Sequence, residues 1–208
     1  MFYFQKTIFT ILWLCTGIGS LAQNWDINLL KKINSPQTPN ATKFFKITSN
    51  SAYVVPFAYP AFSFTFGKIK KSSPLVQESF FSASSLATAC ILSYSIKLIG
   101  KRDRPYVTYP NELIIDKPSK TYSFPSGHTT AAFCSATSMA LYYHKWYVTI
   151  PAYAWACTVA YSRMYLGKHY PTDVIGGMVL GIGIPMLFYY CTPVNRFVNG
   201  IGQSILHY

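Results

Sequence analysis

Long apolar stretches, separated by short polar links, organise most of this 208-residue chain. Five of them are long enough to form helices that cross a bilayer, and they cover approximately residues 51–67, 76–98, 129–144, 146–163 and 173–191. A helix of about 18 residues rises about 27 Å, close to the thickness of the hydrocarbon core of a membrane. The pattern therefore predicts an all-α fold, a polytopic transmembrane helical bundle.

A sixth apolar run lies near the N-terminus and has the features of a secretory signal peptide. Lys6 precedes an apolar stretch over residues 8–19, and the small residues Ser20 and Ala22 suit a cleavage site after Ala22. The alternative is a signal-anchor helix that is not cleaved and adds a sixth span. Both interpretations of residues 1–22 place the following segment outside the cytoplasm.

The rest of the chain divides around the five spans. Residues 23–50 are polar and cationic, and we expect them to form an extracytoplasmic, interfacial segment with a short amphipathic helix over residues 26–33. Residues 51–192 would form the membrane-embedded domain that carries the chemistry. Residues 193–208 would form a cytoplasmic tail.

The charge of the chain suggests contact with lipid head groups. Its 18 lysines and arginines outnumber six carboxylates, yet only 12% of the residues are charged, against about 25% in a typical soluble domain. The cations flank apolar spans instead of forming a stripe with stacking aromatic residues, which argues against nucleic acid as a partner. The bilayer itself is the expected partner.

The charged links also predict an orientation. Cations occur in the links at residues 68–71 and 144–145 and again at Arg196, and alternating crossings put these three positions on one face. The positive-inside rule assigns that face to the cytoplasm. The opposite, extracytoplasmic face of the cytoplasmic (inner) membrane then receives the loops that hold Arg104, His128, Arg163 and His169.

Several of these loop residues suit an anion site. Ser126 and Gly127 precede an apolar helix, whose free N–H groups and positive dipole end attract phosphate. Lys97, Arg104 and Arg163 would neutralise the remaining oxygens. Cations that snorkel at helix ends are the alternative for any one of them. Three cations on one face, beside two histidines, favour the anion site.

The two histidines suit nucleophilic and acid catalysis. His169 and Asp173 are four residues apart at a predicted helix start, so the carboxylate can hold one ring nitrogen and leave the other free to attack. An interfacial histidine beside a capping aspartate is the alternative. His128 follows the anion cradle and can protonate a leaving oxygen. We expect no metal or other cofactor, because the partner ligands of a metal centre are missing from the sequence around these histidines.

Together these residues resemble the signature of the phosphatidic acid phosphatase type 2 family, which also includes vanadium haloperoxidases. That signature reads K-x6-RP, PSGH and SR-x5-H-x3-D. The chain matches it without departure at residues 97–105, 125–128 and 162–173. Three specific blocks in the correct order are a far stronger signal than one short motif. Within this family, the chain most resembles the membrane lipid phosphatase branch.

The resemblance implies a role for each matching residue. His169 would form a phosphohistidine, oriented by Asp173, and His128 would protonate the leaving group before water hydrolyses the intermediate. Membrane members of the family resemble a six-helix bundle, in which residues 2–21 would be the first helix if retained. The residues expected to hold the phosphoryl oxygens are Lys97, Arg104, Ser126, Gly127 and Arg163.

The implied function is a metal-independent phosphatase acting on a lipid phosphate or diphosphate at the extracytoplasmic membrane face. Undecaprenyl diphosphate, phosphatidylglycerophosphate, phosphatidic acid and the phosphates of lipid A all fit the sequence. The loop over residues 106–122 and the segment before residue 50 are the expected selectivity elements. The alternatives are a vanadate-dependent haloperoxidase and a catalytically silent protein that binds lipid phosphates.

Overall fold

The fold is all-α over the part of the chain that the computed structural model describes, which is residues 25–35, 37–115, 117–191 and 200. The predicted all-α class is therefore confirmed. The predictions for residues 1–22 and for nearly all of 193–208 lie outside the described residues. The helices are α1 over residues 25–34, α2 Pro39–Ser51, α3 Val55–Ile69, α4 Ser73–Gly100, α5 Pro105–Thr108, α6 Gly127–Tyr143, α7 Trp146–Tyr165 and α8 Pro171–Tyr190.

Helix α6 is the centre of the bundle and packs against α4, α7 and α8. The side chains in this core are mainly small, because alanines let helix backbones approach closely. Only a short link joins α3 to α4, and another joins α6 to α7. The two helices of each pair therefore run antiparallel. The buried cluster consists of Ala52, Ala132, Phe133, Ala136, Ala156, Val159, Ala160 and Val174.

Two glycines let α8 lie directly against α6. A Cβ atom at Gly177 would stand 2.7 Å from the carbonyl oxygen of Ser126, and one at Gly181 would stand 2.6 Å from that of Thr130. Real Cβ atoms do not approach a backbone oxygen this closely, so a larger residue would push the helices apart. Gly183, on the same helix, has open space around it.

The outside of the bundle is apolar. Large hydrophobic side chains are exposed on most of the helices, for example Phe62, Ile91, Ile150 and Val179. Contiguous exposed apolar surface marks a protein or membrane contact. Among the described residues, α8 and the helical segment that begins at Ser73 are long and apolar enough to cross a membrane. The predicted number of five spans stays a prediction.

The segment before residue 51 is more structured than its sequence suggested. The expected amphipathic helix is present as α1, and Ile27 and Leu30 bury against Tyr170. Helix α2 was not predicted, because its lysines and low average hydrophobicity resemble those of a polar linker. Thr38 Oγ1 accepts a hydrogen bond from Ala41 N at 3.3 Å and so caps the start of α2.

Replacing Gly181 by alanine should destabilise the bundle. The added methyl group meets backbone that cannot give way easily, so we expect a loss of about 1–3 kcal/mol in the free energy of unfolding. The measurement is thermal unfolding of the purified protein in detergent. Gly183→Ala is the matched control and should leave the melting temperature nearly unchanged. Equal melting temperatures for both variants would contradict the close packing described above.

Candidate active site

Four helix ends meet at one end of the bundle. Helices α4 and α7 finish there, and α6 and α8 begin there, as their antiparallel order requires. The sequence-predicted site residues lie on these ends or on the adjoining loops. A cavity of about 290 Å³ opens among them. Its lining includes six of the predicted residues: Lys97, Arg104, Gly127, His128, Arg163 and His169.

His169 lies at the bottom of this cavity, with only 1% of its surface exposed. Its Nδ1 atom is 3.4 Å from Asp173 Oδ2 and 3.5 Å from Ser123 Oγ. Its Nε2 atom is 3.4 Å from Arg104 Nη1. A carboxylate beside Nδ1 favours the proton on that nitrogen, which leaves the lone pair on Nε2. The geometry thus gives His169 one held nitrogen and one available nitrogen.

The charge state of His169 follows from its surroundings. Burial and then the positive charges of Arg163 and Arg104 lower the pKa of His169 well below its ordinary value. The imidazole is therefore neutral at physiological pH. A neutral ring with an available nitrogen is the form that can attack an electrophile.

Asp173 is fully buried in the first turn of α8. Its Oδ2 accepts hydrogen bonds from Tyr170 N, at 2.9 Å, and from the hydroxyl of Ser123. Pro171 occupies the helix start, where its missing N–H costs nothing. These local contacts thus hold the Asp173 carboxylate beside His169, as the spacing of four residues between them predicted. Ser123, which the sequence analysis did not single out, steadies it.

Arg104 is held by the loop that returns towards α6. Its Nε donates to Thr121 O at 2.7 Å, and its Nη2 donates to Thr121 Oγ1 at 3.0 Å. Its Nη1 donates to Lys168 O at 2.9 Å and faces His169. These bonds fix the guanidinium plane beside the available nitrogen of the histidine.

Arg163 enters the cavity from the last turn of α7 and is 7% exposed. Its Nη1 donates to Ser49 Oγ on α2. Its buried Nε has no hydrogen-bond partner among the described residues. A buried charged donor without an acceptor is costly, because nothing replaces the water it has lost. Arg163 lines the cavity, so an oxyanion bound there would lie beside this side chain.

Lys97 borders the cavity but has a different partner from the one the sequence suggested. Its ammonium donates to the carbonyl oxygens of Tyr122, at 3.0 Å, of Ser123, at 3.1 Å, and of Pro125. An ammonium has three N–H donors, so all of them are occupied. In this structure Lys97 binds the loop that precedes α6, and it contributes positive charge to the cavity that it lines.

Ser126, Gly127 and His128 open α6. Ser126 occupies the N-cap position, but its hydroxyl accepts from Thr129 Oγ1 at 3.0 Å and makes no capping bond, which corrects the sequence expectation. Gly127 has no atom within 4 Å of where a Cβ would stand, so the backbone there is open to a ligand. The ring of His128 packs edge-on against Tyr53, with 4.3 Å between ring centroids.

A backbone hydrogen bond joins the two motifs that carry the histidines. Ser126 N donates to Asp173 O at 2.9 Å. It therefore links the cap of α6 to the first turn of α8 directly. Both helix N-termini point their unsatisfied N–H groups and positive dipole ends towards this end of the bundle.

Two further residues, Asp26 and Arg102, stand behind Asp173. Arg102 Nη1 donates to Asp173 Oδ1 at 2.7 Å, and its Nη2 donates to Asp26 Oδ2 at 2.6 Å. Neither residue was predicted from the sequence. Arg102 is one of the six residues that the signature leaves unspecified between Lys97 and Arg104, and Asp26 lies 76 positions away from Arg102. The one signal in the sequence that could have indicated Asp26 is the unusual position of an acidic residue in the amphipathic helix.

Comparisons with known proteins show which family the chain resembles. The family model described as "PAP2 superfamily" matches residues 79–197. Undecaprenyl-diphosphatase BcrC of Bacillus subtilis (strain 168) is 33% identical over 106 residues, which are 51% of this chain and 53% of that protein. The chain spans about half the length of the curated relatives it matches.

Two solved structures share the fold. The crystal structure of Aquifex aeolicus LpxE has a TM-score of 0.65 and 26% identity, covering 78% of this chain and 93% of that one. The transmembrane PAP2-type phosphatidylglycerolphosphate phosphatase from Bacillus subtilis has a TM-score of 0.66 and 23% identity, covering 89% and 88%. The helical arrangement described above therefore recurs in both proteins.

Replacing Gly127 by alanine should weaken oxyanion binding without unfolding the protein. The new methyl group meets no protein atom but occupies the space beside the first N–H groups of α6. We expect the dissociation constant for orthovanadate, measured by calorimetry, to rise about tenfold. A tenfold rise corresponds to the free energy of roughly one good hydrogen bond. Gly183→Ala, also in open space, is the control and should bind as the native protein does. Equal affinity of both variants would contradict an anion site at α6.

Proposed function

Since the chain belongs to the PAP2 superfamily, we propose that it is a phosphatase that hydrolyses a lipid phosphate or diphosphate through a phosphohistidine on His169. One observation carries the proposal. A neutral histidine and Arg163, whose buried Nε has no partner among the described residues, line a single cavity that His128 also lines. That arrangement supplies a nucleophile, an oxyanion ligand and an acid within one small space.

In the first step, Nε2 of His169 attacks the phosphorus atom. The nitrogen–phosphorus bond forms as the bond to the leaving oxygen breaks, and His128 gives its proton to that oxygen. Asp173, 3.4 Å from Nδ1, stabilises the positive charge that the ring acquires. In the second step His128 accepts a proton from water, whose oxygen displaces the histidine and releases phosphate.

The cations stabilise the charge on the transferring group. Arg104 and Arg163 are fixed before substrate arrives, so they need no reorganisation during the reaction. In the protein alone, burial and then the positive charge of Arg163 lower the pKa of His128 to about 2, so its ring is neutral. A bound phosphate adds negative charge and raises this pKa, and we propose that His128 takes up the proton that the first step requires as substrate binds. Positioned cations and helix N–H groups supply the electrostatic stabilisation that phosphoryl transfer needs, and we propose that no metal takes part.

A lipid substrate is supported by an apolar groove beside the site. The groove has a volume of about 570 Å³ and lies between α3 and α4. Phe57 and Cys90 line both the groove and the site cavity, so the two spaces are neighbours. The proposal assigns acyl or prenyl chains to this groove. Its other lining residues are Pro60, Ala61, Phe64, Ser79, Phe80, Ala83, Leu86 and Ala87.

A second, polar cavity favours substrates that carry more than one phosphate. It measures about 380 Å³ and shares His128 and Arg163 with the site cavity. Lys46, Lys117 and Lys168 also line it. Undecaprenyl diphosphate, phosphatidylglycerophosphate and lipid A each bear a second phosphate that these charges would attract, whereas phosphatidic acid does not. We therefore rank phosphatidic acid last among the four candidates.

The proposal places the site on the extracytoplasmic face of the inner membrane. The opposite end of the bundle holds the links with Lys70, Lys71 and Lys145, which the positive-inside rule assigns to the cytoplasm. Tyr189 on α8 approaches His144 at 3.4 Å, so the far end of α8 belongs to that same face. The lipid head group would then meet the site cavity at the outer interface.

His169→Ala should abolish phosphate release from a panel of lipid phosphates. Loss of the nucleophile should lower kcat by at least about a thousandfold, because no covalent intermediate can form. The measurement is release of inorganic phosphate by protein in detergent, with trapping of an acid-labile phosphoprotein from radiolabelled substrate. His144→Ala, at the other end of the bundle, is the control. Substantial turnover or labelling of His169→Ala would refute this role.

Ala87→Phe should fill the apolar groove and discriminate between substrates. Ala87 is exposed and lines the groove, so a phenyl ring there competes with the lipid chain. We expect kcat/KM to fall about tenfold or more for a long-chain lipid phosphate but to stay the same for a water-soluble phosphate ester. Ala58→Phe is the control, since Ala58 is exposed on α3 outside the groove lining. A similar loss for both substrates would contradict the assignment of the groove.

A further inference from the structure

We propose that Asp26 and Arg102 are positioning residues for the reaction, which makes helix α1 part of the active site. This inference rests on the proposed function of His169 as nucleophile. The family match begins at residue 79, so Asp26 lies outside it. The two residues touch neither the site cavity nor His169, and they act through Asp173.

The four groups behind the nucleophile form a closed network. Asp26 is 1% exposed, and its Oδ1 accepts from Thr172 N at 2.9 Å. Its Oδ2 accepts from the Thr172 hydroxyl and from Arg102. Arg102 Nη1 donates both to Thr172 Oγ1 and to Asp173 Oδ1, each at 2.7 Å. The Arg102 guanidinium also lies over the Tyr170 ring, 4.1 Å from its centroid.

The charge of this network explains why Asp26 matters to His169. One guanidinium lies between two carboxylates, so the network carries a net charge of −1. Without Asp26 the charge of Arg102 would cancel that of Asp173. The carboxylate that faces His169 would then stabilise the phosphorylated, positively charged ring less well. Asp26 thus preserves the negative potential that Asp173 offers the nucleophile.

Attachment of α1 to the bundle does not require this buried ion network. Ile27 and Leu30 bury against Tyr170, and Asn34 Nδ2 donates to Tyr165 O at 2.8 Å. Burying a carboxylate costs free energy that an apolar side chain of similar size avoids. A role in the chemistry accounts for the buried charge of Asp26, which attachment of α1 alone does not explain.

The test compares kcat, KM and the pH profile of two variants of the full-length protein. Asp26→Asn removes one negative charge and keeps the shape, giving a network charge of zero. We expect kcat to fall about 10- to 100-fold, as for outer partners of metal-ligating histidines, with KM changed less than about threefold. The double variant Asp26→Asn with Arg102→Gln restores the charge of −1 and should recover most of kcat.

The control variant is Glu112→Gln. It breaks the exposed ion pair between Lys31 and Glu112, which also ties α1 to the loop after α5. Its kinetics should match those of the native protein. If Asp26→Asn behaves like this control, or if the double variant is no more active than the single one, the inference is wrong and the network is structural.

A second measurement separates this inference from the proposed function. In protein labelled with ¹⁵N-histidine, Asp26→Asn should move the NMR titration of His169 to lower pH, because a nearby negative charge is lost. The other charged groups facing this ring, Lys97, Arg104, Arg163 and His128, are the same in both proteins. An unchanged titration overturns the inference even if no lipid phosphate is hydrolysed. A native protein without phosphatase activity refutes the proposed function alone.

Discussion

The contact between the starts of α6 and α8 is the constraint on which the site depends. Ser126 N donates to Asp173 O, and Gly177 lets the carbonyl of Ser126 lie against α8. These two contacts set the distance between the helix that presents His128 and the helix that follows His169. Neither contact involves a side chain that reacts. The positions of both imidazoles therefore follow from backbone packing, and small residues in α8 are a requirement of the chemistry as much as of the fold.

Positive charge is the second organising feature of the cavity. Lys97, Arg104 and Arg163 are all buried, and burial of a cation is unfavourable unless acceptors replace its water. Carbonyl oxygens satisfy the first two cations almost completely, whereas Arg163 keeps an unpartnered donor. The protein thus contains a deficit of negative charge at one defined place. A phosphate group would remove that deficit, which supports the proposal that the cavity binds an anion.

The sequence predicted what depends on local pattern and missed what depends on distant contacts. Apolar length predicted the long helices, and motif spacing predicted that His169 and Asp173 share a helix start. Lys97 was expected to bind the anion directly, because the sequence does not reveal that loop carbonyls reach it first. Asp26 and Arg102 were missed for the same reason, since 76 residues separate the partners of that ion pair. Helix α2 was missed because tertiary contacts with α7 stabilise a segment of low average hydrophobicity.

The shared wall between groove and cavity has a consequence for how an enzyme of the proposed kind would meet its substrate. Phe57 and Cys90 border both spaces, so a lipid approaches sideways and only its phosphate turns inwards. Such an enzyme meets its substrate by lateral diffusion within the plane of the membrane. Its turnover then depends on the mole fraction of substrate within the bilayer, and adding inert lipid slows it by surface dilution while the bulk concentrations stay fixed.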